Sequence, residues 1–292
     1  MQLQRYDSVG AFLEAAGSYL AAREAEHNLM LGITSNLRRD AGTYEGPPLL
    51  VSVRAPDGEV LAAAIRTPPH NLILSEVTDE AAVARALVAG LAGEDLPGIV
   101  GPPGAARALA DAWVAAHGGA WRVDREERIY RLSEVIDPEP GPGTARLAEA
   151  DDADDAETVG GWLGAFQREA LDEEAEAGMT ERAIENWRIG NRRFWLWEVD
   201  GRPVSLVGAG GLTPHGIRIG PVYTPPAERG NGHASRLTAA VSRTVLAEGH
   251  RYCFLYTDLG NRTANHIYQQ IGYRPVTDAV MLRLGAWAPA SG

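Results

Sequence analysis

The stretch Arg218–Ser235 constrains the fold of this chain more than any other part of its 292 residues. It starts inside a short apolar run, Ile217–Val222, that predicts a buried strand. Pro225 and Pro226 end this strand, because a proline has no N–H to donate to a neighbouring strand. From Ala234 onward, apolar residues recur at helical spacing. The sequence therefore predicts a strand, a tight turn and a helix in direct succession.

The turn in this stretch has the chemistry of a phosphate-binding site. Gly230 and Gly232 allow positive φ angles and a close approach of the backbone to a ligand. The helix that follows begins with N–H groups that lack internal acceptors, and its dipole is positive at that end. Arg229 can add a charge-assisted hydrogen bond. A diphosphate is the natural ligand of such a turn.

Two common phosphate-binding motifs do not fit this turn. The dinucleotide-binding fingerprint G-x-G-x-x-G is incomplete both here and at Gly208–Gly211. The phosphate loop of nucleotidases requires a lysine, and all 27 basic residues of this chain are arginines. The absence of lysine also excludes Schiff-base chemistry on a lysine side chain.

A different family accounts for these residues. The pattern Arg229-x-x-Gly232-x-Ala234, preceded by Val222-x-Thr224, resembles the coenzyme A pyrophosphate motif of the GNAT superfamily of N-acetyltransferases. The resemblance covers about the last half of the chain. It includes the segments Tyr252–Asp258, Asn261-x-x-x-Asn265-x-x-Tyr268 and Ile271–Pro275. It implies an acyl-CoA-dependent N-acyltransferase that moves an acetyl group from acetyl-CoA to an amine by direct attack.

The resemblance also implies a fold and a set of functional residues. The fold is of the α+β class, a mixed α/β sandwich in which helices flank a central, mostly antiparallel sheet. In this family the strand that matches Gly216–Tyr223 parts from its neighbour, and the pantetheine arm of the coenzyme lies in the gap. Tyr268 matches the tyrosine that protonates the departing thiolate as a general acid. The residues implied in coenzyme binding are Val222, Tyr223, Thr224, Arg229, Gly230, Asn231, Gly232, His233, Ala234, Ser235, Asn261 and Asn265. Asn261 is also a candidate N-cap for the helix that carries Asn265.

The group that removes the proton from the amine is left open by the sequence. Many relatives carry a glutamate on the strand that matches Gly216–Tyr223, and this strand has none. The candidates are a chain of water molecules and the side chains of Glu198, His215, Tyr223 and Asp258. The missing glutamate favours a second interpretation, a non-catalytic acetyl-CoA-binding or regulatory module, whereas Tyr268 favours the enzyme. The acceptor is also open between a small amine and an amine on a protein.

The first half of the chain shows a similar order of predicted elements. Two helices across residues 8–39 precede strands at Leu49–Val53, Val60–Ile65 and Leu72–Leu74. At Gly101–Gly104, the place where we expect the coenzyme turn, two prolines remove two backbone N–H groups. The predicted organisation is a degenerate GNAT-like domain without coenzyme loop at residues 1–136, a Pro/Gly linker at 137–143, an acetyl-CoA-binding GNAT domain at 144–286 and a tail at 287–292.

Composition narrows the class of partner. A net charge of −12 and a pI near 5.1 disfavour a nucleic-acid partner and mildly favour an amine substrate. The single cysteine, Cys253, lies in an apolar run and is predicted to be a small core residue in a cytoplasmic protein. The sequence predicts no membrane span and no metal site, and it leaves a homodimer open. The aromatic residues predicted to be mostly core, with some of them open as lining of the acceptor pocket, are Trp162, Phe166, Trp187, Trp195 and Trp197.

Overall fold

The computed structural model describes residues 1–40, 42, 44, 46–170 and 179–286. The predicted tail at residues 287–292 lies outside these described residues. The contacts between residues divide the chain into two compact units. The first unit comprises the described residues of Met1–Ile129, Thr257–Asn261 and Val276–Gly292, and the second comprises those of Tyr130–Tyr256 and Arg262–Pro275.

The first ten helices and strands follow one another in the order β-α-α-β-β-β-α-β-α-β. They are β1 (Gln2–Arg5), α1 (Val9–Ala21), α2 (Asn28–Arg39), β2 (Leu49–Arg54), β3 (Val60–Arg66), β4 (Leu72–Leu74), α3 (Glu80–Gly90), β5 (Gly98–Gly101), α4 (Pro103–His117) and β6 (Ala120–Leu132). Neighbouring strands β1, β2, β3 and β4 pair antiparallel, and β4 pairs parallel with β5. The predicted strands of this half are confirmed, and β1 is an addition that the sequence did not indicate.

The next ten elements repeat the same order. They are β7 (Thr144–Leu147), α5 (Ala153–Ala170), α6 (Met179–Arg188), β8 (Arg192–Val199), β9 (Arg202–Leu212), β10 (Gly216–Tyr223), α7 (His233–Ala247), β11 (Tyr252–Asp258), α8 (Arg262–Gln270) and β12 (Arg274–Gly285). Strands β7, β8, β9 and β10 pair antiparallel, and β10 pairs parallel with β11. The chain is therefore built from one ten-element pattern used twice, each copy with a mostly antiparallel sheet.

The repeat corrects one expectation from the sequence. The coenzyme turn joins β10 to α7, so its counterpart in the first copy must join β4 to α3, at Ser75–Asp79. Gly101–Gly104, where we expected that counterpart, instead leads from β5 into α4, and Pro103 is the first residue of that helix. Proline is well tolerated at this helical position, because its missing N–H would have no acceptor there. The two prolines therefore lie at the start of α4, and the counterpart of the coenzyme turn is elsewhere, at Ser75–Asp79.

The last strand of the chain belongs to the first unit. β12 follows α8 in sequence, yet it pairs antiparallel with β5, with Met281 opposite Val100 and Leu282 opposite Ile99. The side chains of Val280 and Leu282 are buried in the core of that unit. The compact units therefore divide the chain differently from the predicted boundaries at residues 136 and 144, because strand pairing between distant segments is not encoded in local composition.

Each sheet is covered by helices on both faces, and alternate residues of a strand enter different cores. In the second unit, Trp195 and Val207 pack in the cluster that contains α7, whereas Phe194 and Leu206 pack in the cluster that contains α5 and α6. Cys253 is fully buried in the α7 cluster, which confirms its prediction as a core residue. Among the described helices, none has the length and apolarity needed to cross a bilayer.

Candidate functional site

Strand β10 has interrupted pairing on both of its sides. On the β11 side, paired residues run only from Gly216 opposite Tyr252 to Arg218 opposite Phe254, although both strands continue further. On the β9 side, the register shifts between Ile219 and Val222, where Pro221 interrupts the ladder. We call the diverging segments, Ile219–Tyr223 of β10 and Leu255–Tyr256 of β11, the fork. The strand predicted to part from its neighbour does so at this place.

The backbone at the end of β10 leaves one edge turned toward the fork. The carbonyl of Tyr223 accepts a hydrogen bond from Ser205 Oγ on β9 at 3.1 Å, so it points away from the fork. Backbone groups of successive strand residues point to opposite edges. The carbonyl of Val222 therefore points toward the fork, whereas that of Thr224, the residue after β10, accepts a hydrogen bond from Arg229 Nε at 2.9 Å. Such an edge can pair with the amides of an extended ligand.

The turn after β10 leads into a helix that has no side-chain cap. A 3₁₀ turn, Pro226–Glu228, follows the strand, and Gly230 and Gly232 adopt φ angles of +84° and +74°. Gly232 is the N-cap of α7, and it supplies no side-chain acceptor. The first backbone hydrogen bond of α7 runs from Arg236 N to Gly232 O at 3.1 Å. The amides of residues 233–235 are therefore the helix N-terminal groups that a bound anion can accept from.

Two arginines add positive charge to this turn. A Cβ built on Gly232 would lie 3.0 Å from Arg236 Nη2, so the guanidinium of Arg236 lies directly against the turn. Arg236 is held there by a hydrogen bond from its Nε to the carbonyl of Glu139, in the predicted linker, at 3.1 Å. Arg229, the second arginine, begins the turn. The arrangement fits a diphosphate, because the helix N-terminal amides and the guanidinium of Arg236 lie at the place where a side chain at Gly232 would intrude.

Sequence reasoning missed Arg236, although a signal was present. It stands four residues after Gly232, so it lies one helical turn above the N-terminus on the same face. It also missed the contact of α5 with the turn. Glu169, at the end of α5, accepts hydrogen bonds from Arg229 Nη2 at 2.5 Å and from the Tyr223 hydroxyl at 2.8 Å. The pKa of Glu169 is lowered by the hydrogen bond from Arg229 and then by that from Tyr223. No local pattern predicts this contact, which depends on how α5 crosses the sheet.

Tyr268 lies on α8 with its ring in the α7 cluster. Its side chain is 8% exposed, and burial raises its pKa to about 12. Among the described residues its hydroxyl has no hydrogen-bond partner, and its ring lies 6.5 Å from that of Tyr130 and 5.9 Å from that of Tyr273. A tyrosine with such a pKa remains protonated across the range in which enzymes work. Its hydroxyl is therefore a hydrogen-bond donor with no acceptor in the described part of the chain.

The two asparagines implied in coenzyme binding have different surroundings. Asn265 lies on α8, and its Oδ1 accepts a hydrogen bond from the buried hydroxyl of Tyr130 at 2.8 Å. Gln269 Nε2 donates to the same hydroxyl at 3.1 Å, so Tyr130 fixes this face of the helix. Asn261 precedes α8 and belongs to the first unit, where its backbone N–H donates to the carbonyl of Asp258 at 3.1 Å. Tyr130 is a further positioning residue that the sequence did not indicate.

The candidates for the proton acceptor fall in separate places. Glu198 accepts a hydrogen bond from Arg146 Nε at 2.7 Å in a network with Asp155 on the β7 and β8 side of the sheet. His215 precedes β10 at the end of the strand opposite to Tyr223. Asp258 belongs to the first unit, and its Oδ1 accepts from the N–H of Gly260 at 2.5 Å. The identity of the base stays a prediction that these contacts do not resolve.

Tyr223 is the candidate that lies at the fork itself. Burial, and then the hydrogen bond that it donates to Glu169, raise its pKa, so it is protonated at neutral pH. Its ring lies 6.2 Å from that of Trp162 on α5, which is only half-buried. Trp187, Trp195 and Trp197 are buried, as predicted for core residues. In the described ranges, no three His, Cys, Asp or Glu side chains are placed to hold a metal ion together.

Solved structures share this fold along nearly the whole chain. A Drosophila protein is 13% identical and has a TM-score of 0.69, with 97% of this chain and 98% of that chain covered. A GCN5-related N-acetyltransferase from Sphaerobacter thermophilus is 20% identical, with a TM-score of 0.63 and coverage of 96% and 95%. A tandem GNAT protein from the clavulanic acid biosynthesis pathway is 15% identical, with a TM-score of 0.57 and coverage of 99% and 100%. No curated protein sequence matches the chain. The fold is therefore the GNAT fold, in the tandem form that its repeat of ten elements shows.

The sequence match identifies the family of the second copy. Residues 158–273 match the model of the acetyltransferase (GNAT) family. This range contains β10, the turn at Arg229–Gly232, α7 and Tyr268. Residues 158–273 therefore form a domain of the GNAT family, and the function that the family supports is of the N-acetyltransferase type.

Proposed function

We propose that the chain is an N-acetyltransferase that uses acetyl-CoA as its acyl donor and that catalysis takes place in the second unit. The observation that carries this proposal is the combination of an uncapped, glycine-containing helix N-terminus with the fork beside it. The amides of residues 233–235, with Arg229 and Arg236, bind the diphosphate of the coenzyme. Backbone groups of Val222 and Thr224 pair with the amides of its pantetheine arm.

The chemical step needs no covalent enzyme intermediate. The neutral amine attacks the thioester carbonyl, a C–N bond forms and the C–S bond breaks. The sulfur receives a proton from the hydroxyl of Tyr268, and the nitrogen gives up its extra proton to a base or to water. Because its pKa is about 12, Tyr268 stays protonated and recovers its proton readily after each turnover.

The test is release of free thiol from acetyl-CoA by the full-length protein with a panel of amines. We expect Tyr268→Phe to lower kcat by roughly 10²- to 10⁴-fold, the usual contribution of a general acid, with little change in coenzyme affinity. A matched control is Tyr252→Phe. Tyr252 lies at the end of β11 away from the fork, where its ring contacts the guanidinium groups of Arg131 and Arg251. An active wild type with unchanged kcat in Tyr268→Phe would remove this tyrosine from the mechanism.

A second candidate function is a non-catalytic acetyl-CoA-binding module. Two observations favour it: β10 contains no acidic residue, and burial makes Tyr268 a weaker acid than a free phenol. Tight coenzyme binding without thiol release on any amine would support this function over the first.

A further inference from the structure

Arg218 stands at the point where the fork opens. It is opposite Phe254 in the last paired position between β10 and β11. Its neighbours Ile217 and Ile219 pack in the α7 cluster, and Tyr268 belongs to the same cluster. Because side chains alternate along a strand, Arg218 projects from the opposite face, the one that α5 and α6 cover. Arg218 and Tyr268 therefore approach the fork from opposite faces of the sheet.

Among the described residues, the guanidinium of Arg218 has an aromatic partner and no acidic one. Its Cζ lies 5.3 Å from the centroid of the Tyr256 ring. In the part of the chain that the structure describes, its Nε is buried without a hydrogen-bond partner, and no carboxylate forms an ion pair with it. By contrast, Arg193 on the neighbouring part of the same sheet pairs with Glu248 at 2.6 Å. In a chain with 39 acidic and 27 basic residues, an arginine in the middle of a sheet that pairs with no described carboxylate has a cost that needs an explanation.

We propose that Arg218 binds a carboxylate of a reactant at the fork, which makes it a specificity-determining residue of the transfer reaction. The inference rests on the proposed function. A carboxylate matches the planar, two-donor edge of a guanidinium, and stacking on Tyr256 holds the plane of that edge. The diphosphate has its own donors at the turn, so it does not need Arg218. The acceptor would then be an amine that also carries a carboxylate, as an amino acid does.

The position of Tyr268 assigns the carboxylate to the acceptor. The departing sulfur must lie near Tyr268, on the α7 face of the fork, so the amine reaches the carbonyl from the face on which Arg218 lies. The same chemistry could come from one other source, an acyl group that has its own free carboxylate, such as succinyl. The experiment therefore varies the acceptor and the acyl donor separately.

The experiment measures thiol release by wild type, Arg218→Met, Arg218→Lys and the control Arg202→Met, which replaces an exposed arginine at the turn between β8 and β9. Each enzyme is given acetyl-CoA with pairs of amino acids and their decarboxylated amines, and succinyl-CoA with the amines alone. For wild type we expect a higher kcat/KM on the amino acids. Arg218→Met should reduce the ratio of the two kcat/KM values by roughly 10- to 100-fold, the effect of losing a charged two-donor contact. Arg218→Lys should recover only part of this ratio, and Arg202→Met should equal wild type.

Thermal unfolding separates a binding role from a structural one. Because Arg218 has a buried nitrogen without a partner, Arg218→Met should not lower the Tm, whereas a structural arginine would lower it. An equal loss of activity on all acceptors, or an unchanged ratio, would refute the proposal and leave the acetyltransferase function intact. A preference for succinyl-CoA that Arg218→Met abolishes would assign the carboxylate to the acyl group instead. If no amine reacts, calorimetry measures the affinity of the wild type for N-acetyl amino acids and for the corresponding N-acetyl amines. Equal affinities for the two kinds of ligand would refute the proposal.

Discussion

Asp155 should be a principal determinant of stability in the second unit. Its carboxylate accepts hydrogen bonds from Arg146 Nη1 at 2.7 Å, from Arg146 Nη2 at 2.6 Å and from the backbone N–H of Glu149 at 2.8 Å. The Asp155 side chain is 4% exposed and that of Arg146 is 38% exposed. The pair therefore ties the start of α5 to β7 from a nearly buried position. Replacing Asp155 by Asn removes the charge and keeps the shape.

The expected loss follows from this burial. Removing one member of a buried ion pair costs about 3–5 kcal/mol, because the other charge is left uncompensated. Arg146 keeps contact with water and with Glu198 Oε1 at 2.7 Å, which reduces the penalty. We therefore expect Asp155→Asn to lower the free energy of unfolding by about 2–4 kcal/mol. At about 2–4 °C per kcal/mol, the Tm should fall by about 4–16 °C.

The chain offers a control of matched geometry. Arg193 and Glu248 also form a two-contact pair, at 2.8 Å and 2.6 Å, but their side chains are 35% and 38% exposed. Water and salt screen such a pair, so Glu248→Gln should cost no more than about 1 kcal/mol. Both variants are compared with wild type by circular dichroism at neutral pH. A cost for Asp155→Asn as small as that of Glu248→Gln would refute the reasoning from burial.

The pH dependence provides an independent check. The hydrogen bonds from Arg146 lower the pKa of Asp155 below its usual value. Its stabilisation is therefore fully present above the unfolded-state pKa, about 3.9, and is lost as the pH falls through the folded-state pKa. The Tm difference between wild type and Asp155→Asn should be constant from pH 7 to about pH 5 and should shrink at lower pH. A difference that grows on acidification would contradict this assignment.

Three further predictions concern the site. Gly232→Asp should weaken coenzyme binding roughly 10-fold or more, because it places a carboxylate at the proposed diphosphate position. The control is Gly201→Asp, which should leave coenzyme binding unchanged. Gly201 has nearly the same φ, +73° against +74°, and open space around it. The value of kcat/KM should rise with pH beyond about pH 8, since only the neutral amine attacks, the amine pKa is about 10.4 and Tyr268 stays protonated. A plateau of kcat/KM near neutrality that is abolished by Glu198→Gln or His215→Ala would instead identify that residue as a base. Calorimetry should give one coenzyme per chain, and a second site that persists in Gly232→Asp would show that the first copy binds too.

The sequence predicted well the local secondary structure around the candidate site. Prolines and glycines restrict the backbone by themselves, so the end of β10 and the turn at Arg229–Gly232 could be located without any tertiary information. The bounds of β10 also agree with prediction, because it is an apolar run that ends at turn residues. In these segments the local preference of the chain and its final structure agree.

The parts that the sequence did not predict depend on contacts between distant segments. Glu169 reaches Arg229 across 60 residues, and Tyr130 reaches Asn265 across 135 residues. No periodicity links such positions, and a single sequence provides no covariation to reveal them. The pairing of β12 with β5 has the same origin, since a strand of apolar and polar residues in alternation fits more than one sheet edge.

The two copies of the fold differ at the turn to which we assign the diphosphate. Helix α3 stands in the first copy where α7 stands in the second. The N-cap of α3 is Asp79, whose carboxylate accepts a hydrogen bond from the backbone N–H of Ala82 at 3.0 Å, and the next residue is Glu80. The helix N-terminus is thus satisfied by the chain's own anion, and a diphosphate would meet two negative charges. At α7 the corresponding N-cap is Gly232, which supplies no acceptor, and Arg236 replaces the acidic charge. Uncapped amides at a helix N-terminus are costly, and in the proposed complex the oxygens of the ligand recover that cost at α7.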